Sequence, residues 1–258
     1  MNENKFNIAV LIDGDNAQAK LIKHLIEEVS KYGKATIRRI YGDWTTPQMN
    51  SWKEVINHYS INPIQKFSYT TGKNSTDSSL IIDAMDILHS QSVDGFCIVS
   101  SDSDYTGLAK RIREEGLFVM GIGRKSTPIA FVNSCEVFTF SENLDPLLET
   151  IVQEKETSQV RASNKKGSPK TASNKQVNKR KYPPIDIENI DKAFEISASE
   201  EGGTLISKVG FALRKIDPSF DPRTYGFKNL TQLFDSLDKY VVIKNEVNGL
   251  NHPLVKLK

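Results

Sequence analysis

Short apolar runs recur along the first half of the chain, at Ile8 to Ile12, Ala35 to Tyr41, Asn62 to Phe67, Gly95 to Val99, Leu117 to Ile122 and Glu136 to Phe140. Between them lie longer segments of helical period, near Ala17 to Tyr32, Gln48 to Tyr59, Asp77 to Ser90 and Tyr105 to Glu115. Strand and helix alternating in this way predict an α/β fold, a parallel sheet covered by helices on both faces. The pattern then stops. From Glu154 to Tyr182 the chain is rich in Ser, Asn and Lys and almost free of large apolar side chains, so burial cannot offset the entropy of ordering it and a disordered linker is expected. After Pro184 helical periods return near Ile190 to Ser199, Leu205 to Ile216 and Asn229 to Leu237, followed by β-rich runs at Tyr240 to Lys244 and Leu254 to Leu257. Helices closed by a hairpin suggest a small winged-helix domain. The expected organisation is therefore an α/β domain over 1–150, a linker over 151–183 and a winged helix over 184–258.

Composition changes little, whereas local charge changes more. A chain of 258 residues, 38% hydrophobic and 26% charged, accommodates two ordinary globular domains. A net charge of +2 is too small for a globally basic nucleic-acid binder. Between Arg161 and Lys181, however, eight cations stand against no Asp or Glu, either as a solvated spacer or as a tether that meets phosphates without sequence preference. The apolar run near the N-terminus has no basic leader and passes into acidic turn residues, so it reads as a first strand. No stretch approaches the roughly 20 apolar residues of a membrane helix; a chain off the membrane is expected. Cys97 and Cys135, both within apolar runs, read as core thiols in a reducing, cytoplasmic compartment.

The candidate chemistry sits at the C-terminal ends of the strands, where open α/β sheets bind ligands at the point of strand-order reversal. Asp13 follows the first strand directly, and Asp102 follows Val99 by way of Ser100 and Ser101. Asp77 opens the third helix, where Leu80, Ile81, Ala84 and Leu88 lie within about 60° of it, so it heads the apolar stripe. Asp83, about 120° away by the same geometry, is assigned to the polar face. Each acid alone has an ordinary reading: Asp77 as a first-turn acid, Asp102 or Asp104 as a cap, Asp13 as a turn residue. Their coincidence at one edge points further, because clustered carboxylates repel unless a cation neutralises them. Oxygen donors without nearby His or Cys favour Mg²⁺ or Mn²⁺ over zinc, and the four histidines are scattered. Such an ion can activate water toward a phosphodiester. Asn16 could bond a substrate phosphate or a metal-bound water, or cap the first helix. Lys73, in Gly72-Lys73-Asn74, could meet a phosphate, and Ser101 and Ser103 could orient water or phosphate.

At these residues the sequence resembles the NYN group of PIN-like proteins, including the LabA-like branch. The matching segments are VLIDGDNA at Val10 to Ala17, GKNSTDSSLIIDAMD at Gly72 to Asp86, SSDSDYTGLAKRIREEG at Ser100 to Gly116 and VMGIG at Val119 to Gly123. The resemblance implies a PIN-like α/β domain that cuts RNA with Mg²⁺ or Mn²⁺, with Asp13, Asp77, Asp102 and Asp104 as catalytic and metal-binding positions. It also makes Asn16 a site residue, and Asp83 matches a recurrent acidic position, which leaves its assignment open. The segment Gly202 to Leu237 is similar to OST-HTH or LOTUS domains, which implies RNA binding or a protein partner. Lys208, Arg214, Lys215, Arg223 and Lys228 supply cations there beside Tyr225 and Phe227, aromatics that either stack on bases or fill the core.

The resulting expectation is a metal-dependent ribonuclease, with an endonuclease and a homodimer both allowed. Two rivals remain. Asp13-Gly14-Asp15 imitates the Asp pair of haloacid-dehalogenase phosphatases, but that family expects Thr or Val where this chain has Ala17. A noncatalytic RNA-binding adaptor would retain RNA without cutting it. Gly121-Ile122-Gly123-Arg124 resembles half of a dinucleotide loop but lacks the full glycine pattern and follows a late strand.

Overall fold

The structure, a computed structural model, describes residues 6–67, 75–144, 182–198, 203–247 and 250–258. The predicted linker, apart from Tyr182 and Pro183, and Lys73 lie outside these residues.

In the first unit β1 (Asn7–Asp13), β2 (Lys34–Gly42), β3 (Asn62–Gln65), β4 (Gly95–Val99), β5 (Phe118–Gly123) and β6 (Val137–Phe140) form one sheet. Every pairing is parallel, in the order β3-β2-β1-β4-β5-β6. Strand order thus reverses between β1 and β4, and Ile12 lies beside Val99 at the last paired position. The helices are α1 (Ile22–Ser30), α2 (Asn50–His58), α3 (Ser75–Ser90), α4 (Thr106–Glu114) and α5 (Ile129–Ser134).

The strands are apolar throughout because both faces are covered. Ile8, Val10 and Ile12 pack with Ile22, Leu25 and Val29 of α1 and Trp52 of α2. Ala9 and Leu11, on the opposite pleat, pack with Leu80, Ala84 and Leu88 of α3 and with Leu108 and Ile112 of α4. This is the expected three-layer PIN-like α/β architecture. Cys97 and Cys135 are free and buried, and burial pushes the Cys135 thiol up to about 12.

The differences from the sequence reading are local. The predicted helix from Ala17 is a turn through Gly14–Asn16, then a single 3-10 turn over Ala19–Leu21, and becomes α-helical only at Ile22. The 3-10 turn takes Gln18 as its N-cap, without a side-chain bond, so Asn16 caps no helix. Asp83 is not on a solvated face either. Its Oδ2 accepts from Arg39 Nη1 and from the Tyr41 hydroxyl, each at 2.9 Å, because α3 lies across β2 and the flank of its stripe meets that strand's long polar side chains. Helix α5 has no predicted counterpart; six residues are too few to show a period.

In the second unit α6 (Ile187–Ser197), α7 (Ile206–Ile216) and α8 (Leu230–Asp235) pack on a three-stranded antiparallel sheet of β7 (Thr204–Leu205), β8 (Tyr240–Ile243) and β11 (Leu254–Leu257), ordered β7-β11-β8. A two-residue ladder of β9 (Glu246–Val247) and β10 (Leu250–Asn251) completes the wing. Side-chain caps start two of the helices: Asp186 accepts from the Asn189 N–H at 3.1 Å, and Asn229 from the Gln232 N–H at 2.9 Å. Ile190, Phe194, Val209, Leu213, Leu233 and Phe234 form the core, and Tyr225 and Phe227 pack against it. Those two aromatics are therefore structural. Arg223 is committed to Asp221, with its Nη2 at 2.6 Å from Oδ2.

Candidate metal centre

Asp13 ends β1 and is 1% exposed. A carboxylate so deeply buried needs its oxygens satisfied. Its Oδ2 accepts from Asn16 Nδ2 at 2.7 Å and from the Ser100 hydroxyl at 2.8 Å, and its Oδ1 accepts from the Asp15 N–H at 3.2 Å. Ser100 continues β4 one residue past the Ile12–Val99 pair, where a short side chain meets Asp13 across the strand-order reversal. The same hydroxyl accepts the Asp102 N–H at 3.1 Å. Ser100 therefore joins the buried acid to the loop that carries the next ones.

Asp102 caps the 3-10 turn Ser103–Tyr105, accepting the Asp104 N–H at 3.0 Å. That turn brings Asp104 back toward Asp102 and buries Tyr105. The Tyr105 hydroxyl donates to Asp77 Oδ1 at 2.6 Å, which holds the first-turn acid of α3 over the end of β4. Asp77, Asp102 and Asp104 each turn one oxygen to within 4.8 Å of the others. Among the described residues this is the one group of three or more metal-ligating side chains so placed. Three carboxylate oxygens without His or Cys are the donor type of a hard divalent cation. Asp13 lies outside the group of three and directly beside it.

Burial and mutual repulsion both act on the acids of this edge. Burial raises the Asp13 pKa, and the charges of Asp77 and Asp15 add to the rise against the pull of its hydrogen bonds. Asp77 is also raised, first by burial and then by Asp102, Asp104 and Asp15. Tyr105 is pushed far up by burial, by Asp13 and by its own bond to Asp77, so it stays a proton donor.

The remaining predicted residues surround this core in different ways. Asn16 is spent on Asp13, while its backbone oxygen accepts from Arg124 Nη2 at 3.4 Å. Ser101 accepts the Arg124 N–H at 2.8 Å and so anchors the turn after β5. Ser103 is exposed on the 3-10 turn. Asn16, Ser101 and Arg124 line a cleft with Leu25, Ile122 and Leu144. Ser100, Tyr105 and Arg124 were not singled out in the sequence. The position of Ser100 at a strand end facing Asp13 was a usable signal, whereas the contacts of Tyr105 and Arg124 depend on packing.

Residues 7–148 match the NYN domain family. The chain belongs to the NYN family. Residues 187–252 of this NYN protein match the OST-HTH/LOTUS domain. A crystal structure of a protein of unknown function from Vibrio parahaemolyticus is similar at 17% identity, covering 54% of this chain and 95% of its own, with a TM-score of 0.46. A solution NMR structure of an uncharacterized protein from Nitrosomonas europaea is similar at 24% identity, covering 35% of this chain and 92% of its own, with a TM-score of 0.28. No curated protein matches the chain.

Proposed function

We propose that this NYN protein is a metal-dependent ribonuclease that hydrolyses RNA phosphodiester bonds at Asp77, Asp102 and Asp104, with Asp13 behind them. The observation that carries the reading is the convergence of three carboxylate oxygens within 4.8 Å of one another, delivered by α3 and by the loop after β4 beside a buried fourth acid. NYN domains are typically metal-dependent ribonucleases and OST-HTH domains bind RNA. Asp77, Asp102 and Asp104 would hold the ion, Mg²⁺ or Mn²⁺, which when bound supplies charge to polarise the phosphate and to lower the pKa of water.

The protein's own groups supply position. Tyr105 fixes Asp77, and Ser100 fixes Asp102 relative to Asp13. The negative charge of Asp13 deepens the well for a cation without requiring direct contact. In this reading Arg124, with its turn anchored on Ser101, meets an RNA phosphate together with Lys73 and Ser103, and Asn16, whose Nδ2 holds Asp13, serves the substrate side by positioning that acid. In hydrolysis a water oxygen bonds to phosphorus and gives up a proton as the bond to the leaving ribose oxygen breaks, and that leaving oxygen takes up a proton.

The test is metal removal and return with a labelled single-stranded RNA. Cutting appears with Mn²⁺ or Mg²⁺, stops with EDTA and recovers when metal is restored. RNA retained uncut under every metal condition replaces this reading with that of a noncatalytic RNA-binding protein.

A further inference from the structure

Helix α7 has an exposed face made of Ser207, Lys208, Phe211, Arg214 and Lys215. At about 100° per residue, Phe211 lies near the middle of this strip, with Arg214 on one side and Lys208 and Lys215 on the other. The opposite face, with Ile206, Val209, Ala212 and Leu213, is buried. The helix contains no Asp or Glu. Phe211 is 64% exposed, and the Lys215 ammonium sits 4.7 Å from its ring centroid.

Single exposed apolar residues are common on folded proteins, and the surroundings of this one are what give it direction. A protein-binding hot spot calls for further apolar groups around its aromatic anchor, whereas on α7 the neighbours of Phe211 are cations. A ring 64% exposed among positive charges, one of them over the ring, matches single-stranded RNA, whose bases stack on aromatics while its phosphates are neutralised. We infer that the α7 face is a single-stranded RNA site in which a base stacks on Phe211 and Lys208, Arg214 and Lys215 contact the flanking phosphates. This deepens the reading of the C-terminal domain as RNA-binding and does not depend on the nuclease reading.

Fluorescence anisotropy of the full chain with a labelled, unpaired RNA in EDTA, where cutting is suspended, tests it. Phe211→Ala weakens binding about tenfold, the scale of one lost base stack, and Phe211→Tyr restores it. Lys208→Gln and Lys215→Gln each reduce the slope of log affinity against log salt by about 0.7. Because Phe211 is exposed, its thermal midpoint serves as the control that the variant is folded. Wild-type affinity in a folded Phe211→Ala overturns the site while leaving RNA binding elsewhere in the chain intact. So does full rescue by Phe211→Leu, which would mark a plain apolar contact. Failure of the wild type to bind any RNA overturns the domain reading itself.

Discussion

At the scale of single residues, Ser100 is the hinge of the account, because one hydroxyl donates to Asp13 and accepts from the backbone of Asp102. Ser100→Ala removes both bonds and leaves a buried carboxylate short of a partner. Groups that orient metal ligands typically contribute 10- to 100-fold to affinity or activity, so cleavage should fall by about that factor and part of the loss should be recovered at higher Mn²⁺. Asp77→Asn should behave differently. It removes a ligand, so cleavage falls on the order of 100-fold or more, yet its amide oxygen can still accept from Tyr105. The wild-type acid is raised in the folded state, so it binds its proton more tightly there than in the unfolded chain, and the metal-free fold loses stability as pH climbs from below 3.8 through the raised value. Asp77→Asn therefore melts higher than metal-free wild type at neutral pH, with the gap closing in acid. Mn²⁺ raises the wild-type midpoint and not that of the variant, and melting curves across pH with and without metal check both statements. The acids were legible in the sequence because each follows a strand or opens a helix. The bond of Tyr105 to Asp77 was not, since it links positions in different elements that only packing brings together.

Elements set the precision of the site, and two glycines show how. A Cβ on Gly123, at the end of β5, would lie 2.5 Å from the Ser100 backbone oxygen and 2.7 Å from the Thr127 hydroxyl. Gly123→Ala must push β5 away from β4 at the residue that joins the acids. A shift approaching 1 Å at such a site costs about 100-fold in rate, and we expect a loss of that order together with lower stability. A Cβ on Gly107, in the first turn of α4, meets nothing within 4 Å. Gly107→Ala should leave cleavage unchanged and stabilise the unit by about 0.5 kcal/mol through helix propensity. Comparing the two alanines by denaturation and by cleavage separates close packing from mere glycine content. The strands were readable because their apolar runs are unbroken. The start of α1 was not, because Asn16 is drawn to Asp13 and keeps the chain in a turn where periodicity alone continues the helix. Asp83 shows the same limit, since a helical wheel does not know that Arg39 and Tyr41 extend from the neighbouring strand.

For the whole molecule, a change in hydrophobic period divides the sequence into two domain types; the NYN match spans 7–148 and the OST-HTH/LOTUS match 187–252. The intervening basic segment makes its own prediction. Lys165, Lys166 and Lys170 changed together to Gln should reduce the salt slope of RNA binding by about 2, the value for three phosphate contacts to a single strand. An unchanged slope would make the segment a spacer. The wing ladder and β7 escaped the sequence reading because two-residue strands carry no pattern, and Phe211 was passed over because exposure is a property of the fold.

The most direct measurement is cleavage of a labelled single-stranded RNA by the wild type and by Asp102→Asn at matched protein concentration, with Mn²⁺, Mg²⁺ or EDTA. The account predicts metal-dependent cutting by the wild type, none in EDTA, and a loss on the order of 100-fold or more in the variant with RNA binding in EDTA retained. Equal cutting by both proteins, or tight binding without cutting over a broad panel of RNAs, would contradict it.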